Sequence, residues 1–207
     1  MIIDTHLHVV DPQALDYPWL AGVPALNQAW PYASYELEAR RAGISQTLHM
    51  EVDVAAERIE DESHYVKTLA DRPGSLISGA IASCRPEEPG FEAYLERQLQ
   101  NSFIKGFRRV LHVMPDELSE QPLFRDNIKR MSGSGLTFDL CVLPHQLPQA
   151  MALADLAPDV TFIMDHCGVP DIKGEARQPW HDNVAELAKR ANVMAKISGV
   201  VAYADPD

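Results

Sequence analysis

The chain has 207 residues, enough for one domain with a sizeable core, and its 46% apolar and 23% charged residues are ordinary for a folded soluble protein. A formal charge of −12 argues against nucleic acid or an anionic membrane as a partner held by bulk charge, and no apolar run approaches the roughly 20 residues of a membrane span. The first apolar run starts at residue 2, so no leader peptide is expected and the cytoplasm is the default compartment; Cys84, Cys141 and Cys167, without a C-x-x-C pattern, read as reduced thiols.

The opening "MIIDTHLHVVDP" predicts a buried strand over 2–9, rich in β-branched residues and closed by Asp11-Pro12. Side chains alternate across a strand, so Asp4, His6 and His8 share one face, with the two imidazoles about 7 Å apart. Burying three ionisable groups in an apolar strand is costly unless they are paired or coordinate a metal, which makes the histidine pair a candidate ligand set. The connection 11–44 is long, carries Pro12, Pro18, Pro24 and Pro31 around a short helical stretch at 34–42, and has the character of a functional lid. A second strand over 45–52 ends near Glu51 and Asp53, which share a face and are candidates for a ligand, a base or a solvated rim.

A helix over 55–71, a strand over 76–82 and a helix over 87–101 follow; in the last, Phe91, Tyr94, Leu95 and Leu99 fall at helical spacing. The strand over 103–111 carries Arg108 and Arg109 on opposite faces. Gly106 leaves room beside Arg108, which is therefore taken as the inward one, a rigid fork for a carboxylate, carbonyl or oxyanion. His112 lies on the same side. Next come a helix over 120–132, a strand over 136–142, a helix over 146–157 and a strand over 160–166. In "TFIMDHCGVPD" His166 shares a face with Phe162 and Met164, and Asp165 is expected to point the other way. A helix over 179–191 and a strand over 193–198 complete the series, and Lys196 sits in an apolar run where lysine is rarely found without a partner. His49, His64, His145 and His181 show no comparable partnership.

This alternation predicts an α/β fold, a parallel sheet covered by helices. A doubly wound sheet would carry a Gly-rich phosphate turn after its first strand, and here that turn is His-rich instead. Polar residues recur at the C-terminal ends of the strands (His6, His8, Glu51, Arg108, His112, His166), the face that holds the site of a (β/α)₈ TIM barrel.

The ordered set D-T-H-L-H, D-P, "YPWL", "KGFRRVLH", "FDLCVLPHQLPQA", "DHCGVPDI" and "KISG", over residues 1 to about 200, resembles the amidohydrolase superfamily, and more narrowly its amidohydrolase-2 lactonase group. The resemblance implies a distorted barrel in a single domain over 1–207, opening a small sugar-acid or related carboxylated lactone by attack of activated water. It implies a divalent metal, zinc first, held by His6, His8 and His166, although the group also contains lactonases that work without one. His166, Arg108 and Lys196 take catalytic roles, and Arg108, His112 and Glu51 contact the substrate. Metal-dependent decarboxylation, amide hydrolysis and a non-catalytic remnant are the other readings, and a homo-oligomer is compatible with all of them. The family completes its site with an aspartate on an eighth strand, in a motif resembling G-S-D-W-P. This sequence runs to "AYADPD", where Asp205 and Asp207 sit in a polar tail, so seven of eight strands are expected, without the C-terminal strand and helix.

Overall fold

The apolar, β-branched runs form strands, and four of them end where a polar residue follows, at His8, Glu51, Asp165 and Lys196. The computed structural model describes residues 1–174, 176–200 and 204. Its strands are β1 (Ile2–Leu7), β2 (Ile44–Met50), β3 (Ile77–Ser83), β4 (Ile104–Val110), β5 (Thr137–Cys141), β6 (Phe162–Met164) and β7 (Val193–Ala195). The helices are α1 (Tyr32–Arg41), α2 (Ile59–Ala70), α3 (Phe91–Leu99), α4 (Pro122–Arg130), α5 (Leu147–Leu156) and α6 (Trp180–Leu187). Sheet order follows chain order, β1 to β7, and the pairs β1–β2, β2–β3, β5–β6 and β6–β7 are parallel. Strand, crossover helix, parallel strand is the repeating unit of a (β/α) barrel fold. No helix among the described residues is long and apolar enough to cross a membrane. Asp205 and Asp207 lie outside the described residues.

The chain forms two compact units, Met1–Cys84 with Gln100–Phe107, and Arg85–Leu99 with Arg108–Asp207. In the first unit the long connection after β1 is packed down rather than loose. Leu15, Tyr17 and Leu20 bury against Val10, Val52 and Val54, with Ile59 and Tyr65 against them. The indole N–H of Trp19 donates to the Val52 carbonyl at 2.8 Å, and Trp30 bridges back to Val10. The β1–β2 register is irregular between Asp4 and Leu7, so strict alternation fails there. The carboxylate of Asp4 accepts the Tyr35 hydroxyl of α1 at 2.7 Å and the His6 N–H at 3.0 Å.

In the second unit the core is an aromatic stack. Phe138 on β5 lies edge-on to Phe124 of α4 and to Phe162 of β6, with ring centroids 6.4 and 6.0 Å apart. Phe138 therefore faces the helices. By alternation Asp139, paired in register with Ile163, is turned to the opposite side of the sheet.

Candidate active site

Within the first unit, the rings of His6 and His8 lie 5.0 Å apart and nearly perpendicular. Nδ1 of His8 donates to the Met50 carbonyl at 3.0 Å, at the end of the neighbouring strand. That bond sets the tautomer and puts the ring's lone pair on Nε2, the arrangement that backbone carbonyls impose on metal-binding imidazoles. Glu51, the next residue after β2, is fully buried, and its Oε2 accepts the Asp53 N–H at 2.7 Å. Asp53 has φ +47, so the chain turns sharply there.

Within the second unit four charged side chains converge in the interior. The ammonium of Lys196 lies 2.5 Å from Asp139 and 3.2 Å from Asp165, and the Arg108 guanidinium lies 3.3 Å from the other oxygen of Asp165. Asp139 and Asp165 are each only 1% exposed. Burial pushes the Asp139 carboxyl above its ordinary range, against the downward pull of Lys196. Arg109, on the opposite face of β4, is also buried, and it pairs with Glu87 at 2.7 Å.

His166 is carried on an unusual turn. The expected strand over 160–166 stops at Met164, so alternation no longer governs Asp165 and His166. Asp165 was expected to point away; its carboxylate instead reaches Arg108 and Lys196. His166, Cys167, Gly168 and Val169 then have φ values of 51, 55, 70 and 51. Left-handed backbone costs roughly 1–2 kcal/mol for each non-glycine residue, so other bonds must hold it. The Cys167 N–H donates to the Lys196 carbonyl at 3.0 Å, and the Trp180 indole donates to the Cys167 carbonyl at 2.8 Å. The ring of His166 shares a hydrogen bond with Ser198 Oγ at 2.9 Å, and a Cβ on Gly199 would stand 2.6 Å from its Nδ1. Only glycine fits there. Burial holds the His166 pKa below its ordinary value, with Arg108 and Lys196 adding to the effect and Asp165 opposing it.

The Nδ1 of His112 lies 3.2 Å from Cys141 Sγ. The three cysteines are free thiols. Sequence reasoning passed over Asp139 and the buried pair of His49 on β2 with Glu62 on α2, whose Nε2–Oε1 distance is 3.3 Å. Asp139 carried a usable signal: an acid inside "TFDLC" is as anomalous as a lysine inside "VMAKIS". The Glu62 carboxyl is pushed up by burial and pulled down by His49.

The amidohydrolase family profile matches residues 3–207. An L-fucono-1,5-lactonase of Burkholderia ambifaria is 25% identical over 206 residues, spanning 99% of this chain and 69% of that protein. Among solved structures, an amidohydrolase from Burkholderia multivorans with bound zinc is similar at a TM-score of 0.85 and 22% identity, over 99% of this chain and 72% of that one. Amidohydrolase 2 from Bifidobacterium longum subsp. infantis is similar at 0.72 and 28% identity, over 98% and 77% of the two chains.

Proposed function

Because this chain belongs to the amidohydrolase family, we propose that it is a lactonase, opening the ring ester of a small sugar lactone by attack of an activated water. The observation that carries the reading is the His6–His8 pair, with His8 already committed through Nδ1 to the Met50 carbonyl. Likeness to an L-fucono-1,5-lactonase supports the choice of a cyclic ester. Two imidazoles oriented in this way suit a borderline divalent cation such as zinc, and His6 and His8 would hold it in the first unit. When bound, such an ion supplies an acidified water and polarises the ester carbonyl.

The second unit holds a donor set of its own. Arg108 is the group suited to the developing oxyanion, a buried guanidinium whose direction is set by Asp165. Lys196 is held by Asp139 and Asp165 and contributes its charge from that fixed position, while His166, kept neutral by burial, orients the carbonyl or the water. Charge balance supports an uncharged ring over a carboxylated one. Arg108 and Lys196 already stand against two buried acids, Asp139 and Asp165, so a substrate carboxylate beside them would add a third negative charge to the cluster.

A panel of neutral aldonolactones, a pyrone dicarboxylate, amides and a carboxylated aromatic tests the reading. Neutral lactones should lead, and Arg108→Met should lower kcat/KM on them by about 10², as for loss of an oxyanion donor. Turnover confined to amides, or decarboxylation alone, would replace the lactonase reading.

A further inference from the structure

Three acids open α2, and Glu60 and Asp61 are exposed, whereas Glu62 is 1% exposed. Its Oε1 accepts the Val52 N–H at 2.8 Å and the Nε2–H of His49 at 3.3 Å. A buried acid–imidazole pair is weak evidence for added stability, since an apolar pair of similar volume often does as well or better. What it holds is the end of β2 and the turn after it: the Glu51 N–H still donates to the Ile81 carbonyl at 3.0 Å, and one residue on the Val52 N–H has Glu62 as its acceptor. In that segment the Met50 carbonyl takes the His8 ring, the Val52 carbonyl takes the Trp19 indole, and the Asp53 N–H turns back to Glu51.

We propose that Glu62 is a positioning residue: shared between the Val52 N–H and His49, its carboxylate fixes Met50–Asp53, and through that segment the ring of His8 and the connection carrying Trp19. The importance of His8 rests on the functional reading above; the mechanical role of Glu62 does not. Glutamine keeps the acceptor oxygen and loses the charge, while alanine loses both and aspartate keeps the charge on a shorter arm.

The test measures Zn²⁺ affinity by titrating the metal alone into the full chain, and amide hydrogen exchange in peptides spanning 11–22 and 50–55. Glu62→Ala and Glu62→Asp should each weaken Zn²⁺ binding by about 10- to 100-fold, the range for loss of a ligand-orienting partner, and Glu62→Gln by less than about threefold. Exchange in both peptides should speed up in the alanine and aspartate variants and not in the glutamine variant. If Glu62→Ala does not fold, the aspartate–glutamine comparison decides alone. Unchanged exchange in a folded Glu62→Ala, or a loss in Glu62→Gln as large as in Glu62→Asp, overturns the proposal. If the unmodified chain binds no Zn²⁺ and opens no lactone, the functional reading falls, and the exchange comparison still decides the role of Glu62.

Discussion

Lys196 and Asp139 meet across 57 residues of sequence, and each is costly to bury without the other. Removing one partner leaves a desolvated charge, so Lys196→Met should destabilise the protein by about 3–5 kcal/mol. The double variant Lys196→Met/Asp139→Leu should cost clearly less than the sum of the two single changes. Urea denaturation of the four proteins measures this. An additive result would show that the two groups are not a coupled pair. That Lys196 has a buried partner was legible in the sequence, because lysine in an apolar run is rarely found without one, whereas the choice of Arg108 rested on the room that Gly106 leaves beside it. Asp165 was misread for a local reason. Alternation was extended two residues past the end of β6, into a left-handed turn that no spacing rule announces.

At the scale of elements, Tyr35 ties α1 to β1 and β2, and Tyr65 and Tyr17 fasten the connection after β1 at Asp11. Tyr35 of α1 donates to Asp4 and accepts from the Thr47 hydroxyl, Tyr65 of α2 donates to Asp11, and the Tyr17 hydroxyl accepts the Asp11 N–H. Burial is the main cause that raises all three phenols to about 12, from an ordinary value of about 10. The folded state prefers the neutral phenol, so this stabilisation is complete below pH about 10 and is lost as pH rises toward about 12. Following tyrosinate absorbance and the melting temperature together over that window checks it. Ionisation of all six tyrosines near their ordinary value, with no fall in stability, would contradict it. The elements themselves were read closely from sequence. Every predicted strand and helix formed, because period-2 and period-3.6 patterns are local properties of the chain. The ends differ by a few residues, as at the helix expected over 34–42, which begins at Tyr32.

At the scale of the molecule, a resident cation would stabilise the native state by mass action, since the donors converge only when folded. With free Zn²⁺ at a hundredfold excess over its dissociation constant, the gain should be about 2.7 kcal/mol, seen as a rise in Tm that a chelator reverses. His8→Ala should abolish that rise. A Tm indifferent to Zn²⁺ and to chelator would remove the metal from the reading. The order of strands and helices and the His-x-His pair were determined by the sequence alone, because each depends on residues within a few positions of one another; the parallel sheet followed from that order, although its pairs, such as Ile2 with Ile44, are distant in sequence. The partners of the charges were decided only by tertiary structure: Asp139 with Lys196, Asp165 with Arg108, Glu62 with Val52 and His49. Those pairings join segments distant in sequence. What selects them is the need to neutralise a charge once packing has removed its water, and that need arises only in the folded chain.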